Sequence, residues 1–185
     1  MVTISVLVHP RVLLARQGQP WDGHYVLVGS GFPLWNILTE LATEMSVDTL
    51  LELIEEISAE DVRATLHFTA GSMAQIPDLP STYAPGLGEY PSVQAPRFPS
   101  HARLRGCQTP IAEILAFLGT SLDVRATLER FVLSNEELAV ALRYAALFHH
   151  ALRGAMLDKV DQLRGLRVDN SNEEEPMTDL PTEIQ

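Results

Sequence analysis

The sequence predicts a mainly α fold with short β-strands: two helix-turn-helix-like trihelical modules, each preceded by a short β-hairpin, and a long C-terminal helix. Three observations predict it. The first is an internal echo, in which Gly29, Pro33, Ile37, Leu38 and Leu41 return as Gly106, Pro110, Ile114, Leu115 and Leu118. It continues with Met45 to Asp48 against Thr120 to Asp123, and with Ile57 to Ala70 against Leu133 to Ala146, with small shifts between blocks. A fixed-period echo of this kind marks a duplicated supersecondary unit. The second is a pair of prolines, Pro33 and Pro110, each opening an apolar pattern of helical period. The third is an apolar stripe at three- and four-residue steps from Leu138 through Leu142, Ala145, Phe148, Leu152, Met156, Val160 and Leu163. That stripe predicts one helix of about thirty residues.

The elements follow in order. Val2 to Val8 and His24 to Val28 are β-branched and apolar around the turn-forming Gln17 to Gly23 stretch, which reads as two strands and a loop. Apolar residues at 34, 37, 38 and 41 predict a helix over 33–43. After a break at Met45 and Ser46, Val47, Leu50, Leu51 and Ile54 predict a second helix, and Ser58 with Asp61 predicts the capped start of a third through Phe68. Residues 71–92 contain Pro77, Pro80, Pro85 and Pro91 with several glycines and serines, a composition suited to an extended connector. The second repeat occupies 93–167. Its third helix opens at Ser134 with Glu137 in a capping box. Residues 168–185 are polar and acidic, the composition of a disordered tail.

Two repeats of this size each sit at the small end of what folds alone, so they are expected to lean on each other. The long helix pairs either with the first repeat or with a second chain as a homodimer. No apolar run approaches the ~20 residues of a membrane helix, and the opening Met-Val-Thr-Ile-Ser-Val lacks a signal-peptide layout. A cytoplasmic protein without membrane contact is expected. The single cysteine, Cys107, excludes an internal disulfide and a Cys-rich zinc site.

The net charge of -11 repels polyanions at long range, so any nucleic-acid contact has to be local. Residues 1–70 carry three arginines against nine carboxylates, whereas residues 93–147 carry six arginines against five. The helix after the Ser46 break bears Asp48, Glu52, Glu55 and Glu56 and no cation, which makes the first repeat a poor partner for phosphates. In the second repeat Arg125 and Arg130 lie on the corresponding helix, and Arg103 and Arg105 alternate on the preceding strand and so share a face. If duplex DNA is bound, these four arginines carry it; otherwise they are solvated or paired with carboxylates. Glu173, Glu174 and Glu175 of the tail are either a solubilising end or an arm for a basic groove on a partner. Adjacent His149 and His150 diverge by ~100° on a helix, which suits packing beside Phe148 better than chelation. Nothing resembles a phosphate-cradling loop, a nucleophile elbow or a zinc motif, so no catalytic residue, metal or cofactor is assigned.

Arg105-Gly-Cys-Gln-Thr-Pro110-Ile, followed by Ser121-Leu-Asp-Val and Ser134-Asn-Glu-Glu-Leu-Ala-Val-Ala-Leu142, resembles the family known as domain of unknown function 433. Its hallmark reads like Arg-Gly-Thr-Arg-Ile-Pro-Val before the first helix. In the first repeat, Ser46-Val-Asp-Thr-Leu-Leu51 and Ser58-Ala-Glu-Asp-Val-Arg-Ala-Thr-Leu66 carry the same elements. The resemblance implies a helix-turn-helix fold and an antitoxin-like role beside a PIN-type ribonuclease toxin, commonly as a dimer. The arginine of the family's Gly-Thr-Arg is Gln108 in the second repeat and Gly31 in the first, so the contact it would carry is lost from both. Two function classes follow: a non-enzymatic antitoxin-like or transcriptional regulator whose second repeat touches DNA while the first serves as an internal pseudo-dimer mate, or a protein-protein interaction adaptor that keeps the scaffold without DNA.

Overall fold

The computed structural model describes residues 9–15, 18, 21–76, 78–79 and 90–169, with side chains of the last helix described as far as Leu157. Among them the chain forms β1 (Val12–Leu14), β2 (Tyr25–Leu27), α1 (Leu34–Glu44), α2 (Val47–Leu53) and α3 (Ala59–Gln75). The same succession then returns as β3 (Val93–Gln94), a 3-10 turn (Pro99–His101), β4 (Arg103–Leu104), α4 (Ile111–Ser121), α5 (Val124–Phe131) and α6 (Asn135–Asp169). The fold is mainly helical with two short antiparallel strand pairs, β1 with β2 and β3 with β4.

The two halves match in local detail. Gly29 and Gly106 take φ of 99° and 91° after the second strand, a left-handed conformation that glycine adopts without penalty. Pro33 and Pro110 each bridge back to that strand, at Val26 and Arg103. Both prolines are extended N-caps rather than first-turn residues, so each helix starts one residue later than the proline. Met45 and Leu122 then break the chain in the left-handed conformation. Ser58 and Asp61 form a complete capping box on α3, and Ser134 and Glu137 exchange the same two bonds on α6.

Some expectations shift. The segment 2–8 lies outside the described residues, and the described partner of the 25–27 strand is Val12–Leu14. α3 runs to Gln75 instead of stopping near Phe68, so 71–75 are helix rather than connector. Thr69, Ala70, Ser72 and Met73 are buried, and tertiary contact carries the helix past the polar and glycine residues that would otherwise end it. Beyond it, Leu79 N–H donates to the Arg97 carbonyl at 3.0 Å and Ser100 N–H to the Ile76 carbonyl at 3.3 Å, which ties the start of the connector to the second half. Most of the connector and residues 170–185 lie outside the described residues.

The helices pack reciprocally. α1 packs chiefly on α6, and α4 chiefly on α3, while α1 touches α3 of its own half far less. Each first helix therefore buries its stripe, Leu34, Ile37, Leu38 and Leu41 or Ile111, Ile114, Leu115 and Leu118, mainly against the third helix of the other half. The result is a single core shared by the two halves. Over Leu138, Leu142, Ala145, Phe148 and Leu152 the long helix is buried inside the chain itself. At the α3–α4 crossing the axes come so close that a Cβ on Gly119 would stand 3.0 Å from Leu66 Cβ, and Arg63 Nε donates to the Gly119 carbonyl at 3.2 Å. Gly119→Ala is accordingly expected to cost about 1–3 kcal/mol by forcing the helices apart, read as a lower denaturation midpoint at constant m-value.

Candidate functional site

The two breaks meet. Met45 to Asp48 and Leu122 to Arg125 line a single cleft of about 420 Å³, so the N-terminal ends of α2 and α5 sit together. Ser46 Oγ accepts from Thr49 N–H at 3.2 Å, and Asp123 Oδ1 accepts from Ala126 N–H at 2.9 Å. Asp123 is thus the structural counterpart of Ser46, and the register read from sequence, which set Ser121 there, is displaced by two residues: Ser121 is the last residue of α4. Asp48 occupies in α2 the place that Arg125 occupies in α5, so with Asp123 the cleft presents two carboxylates and one guanidinium.

The four candidate arginines do not form one surface. β4 ends at Leu104, so the alternation that would put Arg103 and Arg105 on one face stops short. Arg103 is half-buried, with Nε sealed from solvent and no hydrogen-bond partner among the described residues, whereas Arg105 is exposed. Arg125 Nε donates to Glu129 Oε1 at 2.9 Å in an exposed helical pair, a contact worth only ~0.3–0.5 kcal/mol. The Arg130 guanidinium lies 4.7 Å from the Phe117 ring centroid and 5.7 Å from that of Phe131, a cation–π arrangement. Glu173, Glu174 and Glu175 lie outside the described residues.

Beside Gly106 runs a groove made of two adjoining cavities. One, of about 380 Å³, is lined by Pro91, Ser92, Leu104, Arg105, Glu136, Glu137 and Val140. The other, of about 360 Å³, shares Glu137 and extends along Gly106 to Thr109 and Arg130 to Leu133. Cys107 is half-buried here with Sγ 3.9 Å from the Thr109 carbonyl, a weak contact that gives the thiol no activating base.

Sequence reading missed a cluster of imidazoles and indoles where α6 meets the first hairpin. The His150 ring centroid lies 4.9 Å from that of Trp35 and 5.1 Å from that of His24, and Trp21 stands edge-on to Trp35 at 5.9 Å. Thr69 Oγ1 donates to the Thr65 carbonyl at 2.7 Å and so accepts from His149 Nε2–H at 2.8 Å. His149 Nδ1, His24 Nδ1 and Trp35 Nε1 are buried without partners among the described residues. Burial, and then the neighbouring His150, hold His149 down to about 3 and His24 down to about 4, and Arg153 adds to the effect on His24. Burial and Arg153 lower His150 as well. Arg153 Nε donates to the Asp22 carbonyl at 2.8 Å. His149 is a packed, neutral imidazole, and among the described residues no group of three His, Cys, Asp or Glu is placed to hold a metal ion. The signal available in sequence is an inequality between the halves: Trp35 stands where the second half has Ala112.

Among the described residues no helix is long and apolar enough to cross a membrane. No curated protein and no solved structure matches the chain. Residues 21–69, from the end of the first hairpin loop through most of α3, match the family described as Protein of unknown function (DUF433).

Proposed function

We propose that the chain is a non-enzymatic regulatory protein of antitoxin type, a tandem of two helix-turn-helix-like units folded into a built-in pseudo-dimer, and that it acts by holding a protein partner. The observation that carries the reading is the reciprocal packing of α1 on α6 and α4 on α3. A scaffold whose single-repeat form would need two chains is here complete in one, free to diverge between its halves. The divergence supports protein binding over DNA binding. Arg103 is half-buried, and the cleft between the two breaks sets Asp48 and Asp123 beside Arg125. A duplex approaching that face meets the carboxylates of α2, which oppose it electrostatically. The acidic first half suits a basic partner, of which a PIN-type ribonuclease is one.

Titration of duplex DNA at low salt separates the two function classes. The reading expects no saturable binding, and Arg125→Ala/Arg130→Ala is expected to leave the signal unchanged. Tight binding that weakens steeply with salt and is lost in that variant would restore the DNA-contacting regulator.

A further inference from the structure

We propose that the groove beside Gly106 is the docking site for an arginine-bearing segment of a protein partner, with the guanidinium seated on Glu137 and a neighbouring apolar side chain against Val132 and Leu133. The proposal rests on the protein-binding reading above and names the partner's chemistry. The chain carries its own template for it. Val28 N–H donates to the Arg11 carbonyl at 2.9 Å in the first half, and Arg105 N–H donates to the Ser92 carbonyl at 2.8 Å in the second, so Arg11 and Ser92 are equivalent. In the first half Arg11 Nη1 donates to Asp61 Oδ1 at 2.9 Å, and that carboxylate is the third residue of the α3 capping box. In the second half the capping-box carboxylate is Glu137, whose Oε2 accepts from Ser134 N–H at 2.8 Å. Its guanidinium is missing, because Ser92 is too short to supply one.

A second exchange opens the same place. Phe32, immediately before Pro33, packs against the core, whereas Thr109, immediately before Pro110, lines the groove. Small residues at 92 and 109 thus leave open space where the first half holds an arginine and an aromatic ring. The floor and rim suit an incoming peptide. Among the described residues neither Glu136 nor Glu137 is in an ion pair, and exposed Arg105 has donors for peptide carbonyls. Val132 is 89 % exposed and sits in the left-handed conformation at φ 54°, so a β-branched apolar side chain is held outward beside the groove at a conformational cost.

The test titrates the full isotope-labelled chain with the capped dipeptide acetyl-Arg-Phe-amide, with acetyl-Gln-Phe-amide as control, and reads backbone amide shifts. Saturable shifts confined to residues 92, 104–109 and 130–140 are expected with the arginine probe and none with the control. Glu137→Gln keeps the capping box and is expected to weaken binding roughly tenfold by removing the charge. Ser92→Arg is expected to fill the site from within, abolishing probe binding and raising the thermal midpoint. Shifts spread over the carboxylates of α2, no saturation, or unchanged binding in Ser92→Arg would overturn the site. Co-purification separates this failure from that of the parent reading. A partner retained equally by wild type and Ser92→Arg contradicts this docking site alone. A saturable probe site with no partner protein contradicts the protein-binding reading and leaves the guanidinium site standing.

Discussion

Lowering the pH from 7 to about 4 is expected to remove about 3 kcal/mol of stability through His149 alone. The sign follows from the direction of the shift. His149 is 2 % exposed and its folded value lies near 3, against 6.5 for the free side chain. The unfolded chain therefore takes up the proton first, so the stabilisation is complete above about pH 6.5 and is lost as the pH falls toward the folded value. His24 and His150 act in the same direction, with less weight because both are partly open to solvent, where water screens the charge. Arg153 is the other cation against the cluster. Against a total stability of ~5–15 kcal/mol, such a loss is large, and it falls on the contact between α6 and the first hairpin. Urea denaturation at pH 7 and pH 4 measures it. The informative quantity is the difference between wild type and His149→Gln, which keeps a donor for Thr69 and does not titrate. Equal pH slopes for the two proteins would show that His149 is not the proton-linked group.

The second large effect comes from the core. Leu115→Ala removes a fully buried side chain of α4, which packs chiefly on α3, and is expected to cost about 2–5 kcal/mol. Because α3 belongs to the first half, the damage is not confined to the second. Amide exchange of α2, which packs on α1 and α3 of its own half, reports at a distance on a cavity made in the other half. If each half had its own core, exchange in α2 would be indifferent to residue 115.

Much of this architecture was legible because its determinants are local. Pro33 and Pro110, the break at Met45 and Ser46, the N-cap at Ser58 and the capping box at Ser134 act within a few residues and can be read where they stand. What could not be read depends on partners distant in sequence. α3 continues to Gln75 because α4 and its neighbours bury its last turns, a fact no window around Gly71 contains. Serine-on-serine alignment sets Ser121 at the break, yet the counterpart of the Ser46 cap is Asp123, since an aspartate carboxylate caps as well as a serine hydroxyl. Strand alternation puts Arg103 and Arg105 on one face, but the strand ends at Leu104. The groove depends on differences between structurally equivalent positions, Ser92 against Arg11 and Thr109 against Phe32. His24 and His149 come together through the reciprocal packing, which composition and period do not encode.

The reciprocal packing is tested most directly by unfolding Leu115→Ala and following one helix of each half. Amide exchange of α2 reports on the first half, and that of α5 reports on the second. One cooperative transition is expected, with both midpoints coincident in wild type and shifted together by the substitution. An α2 midpoint that stays in place while the α5 midpoint falls would contradict a shared core and leave two independent halves.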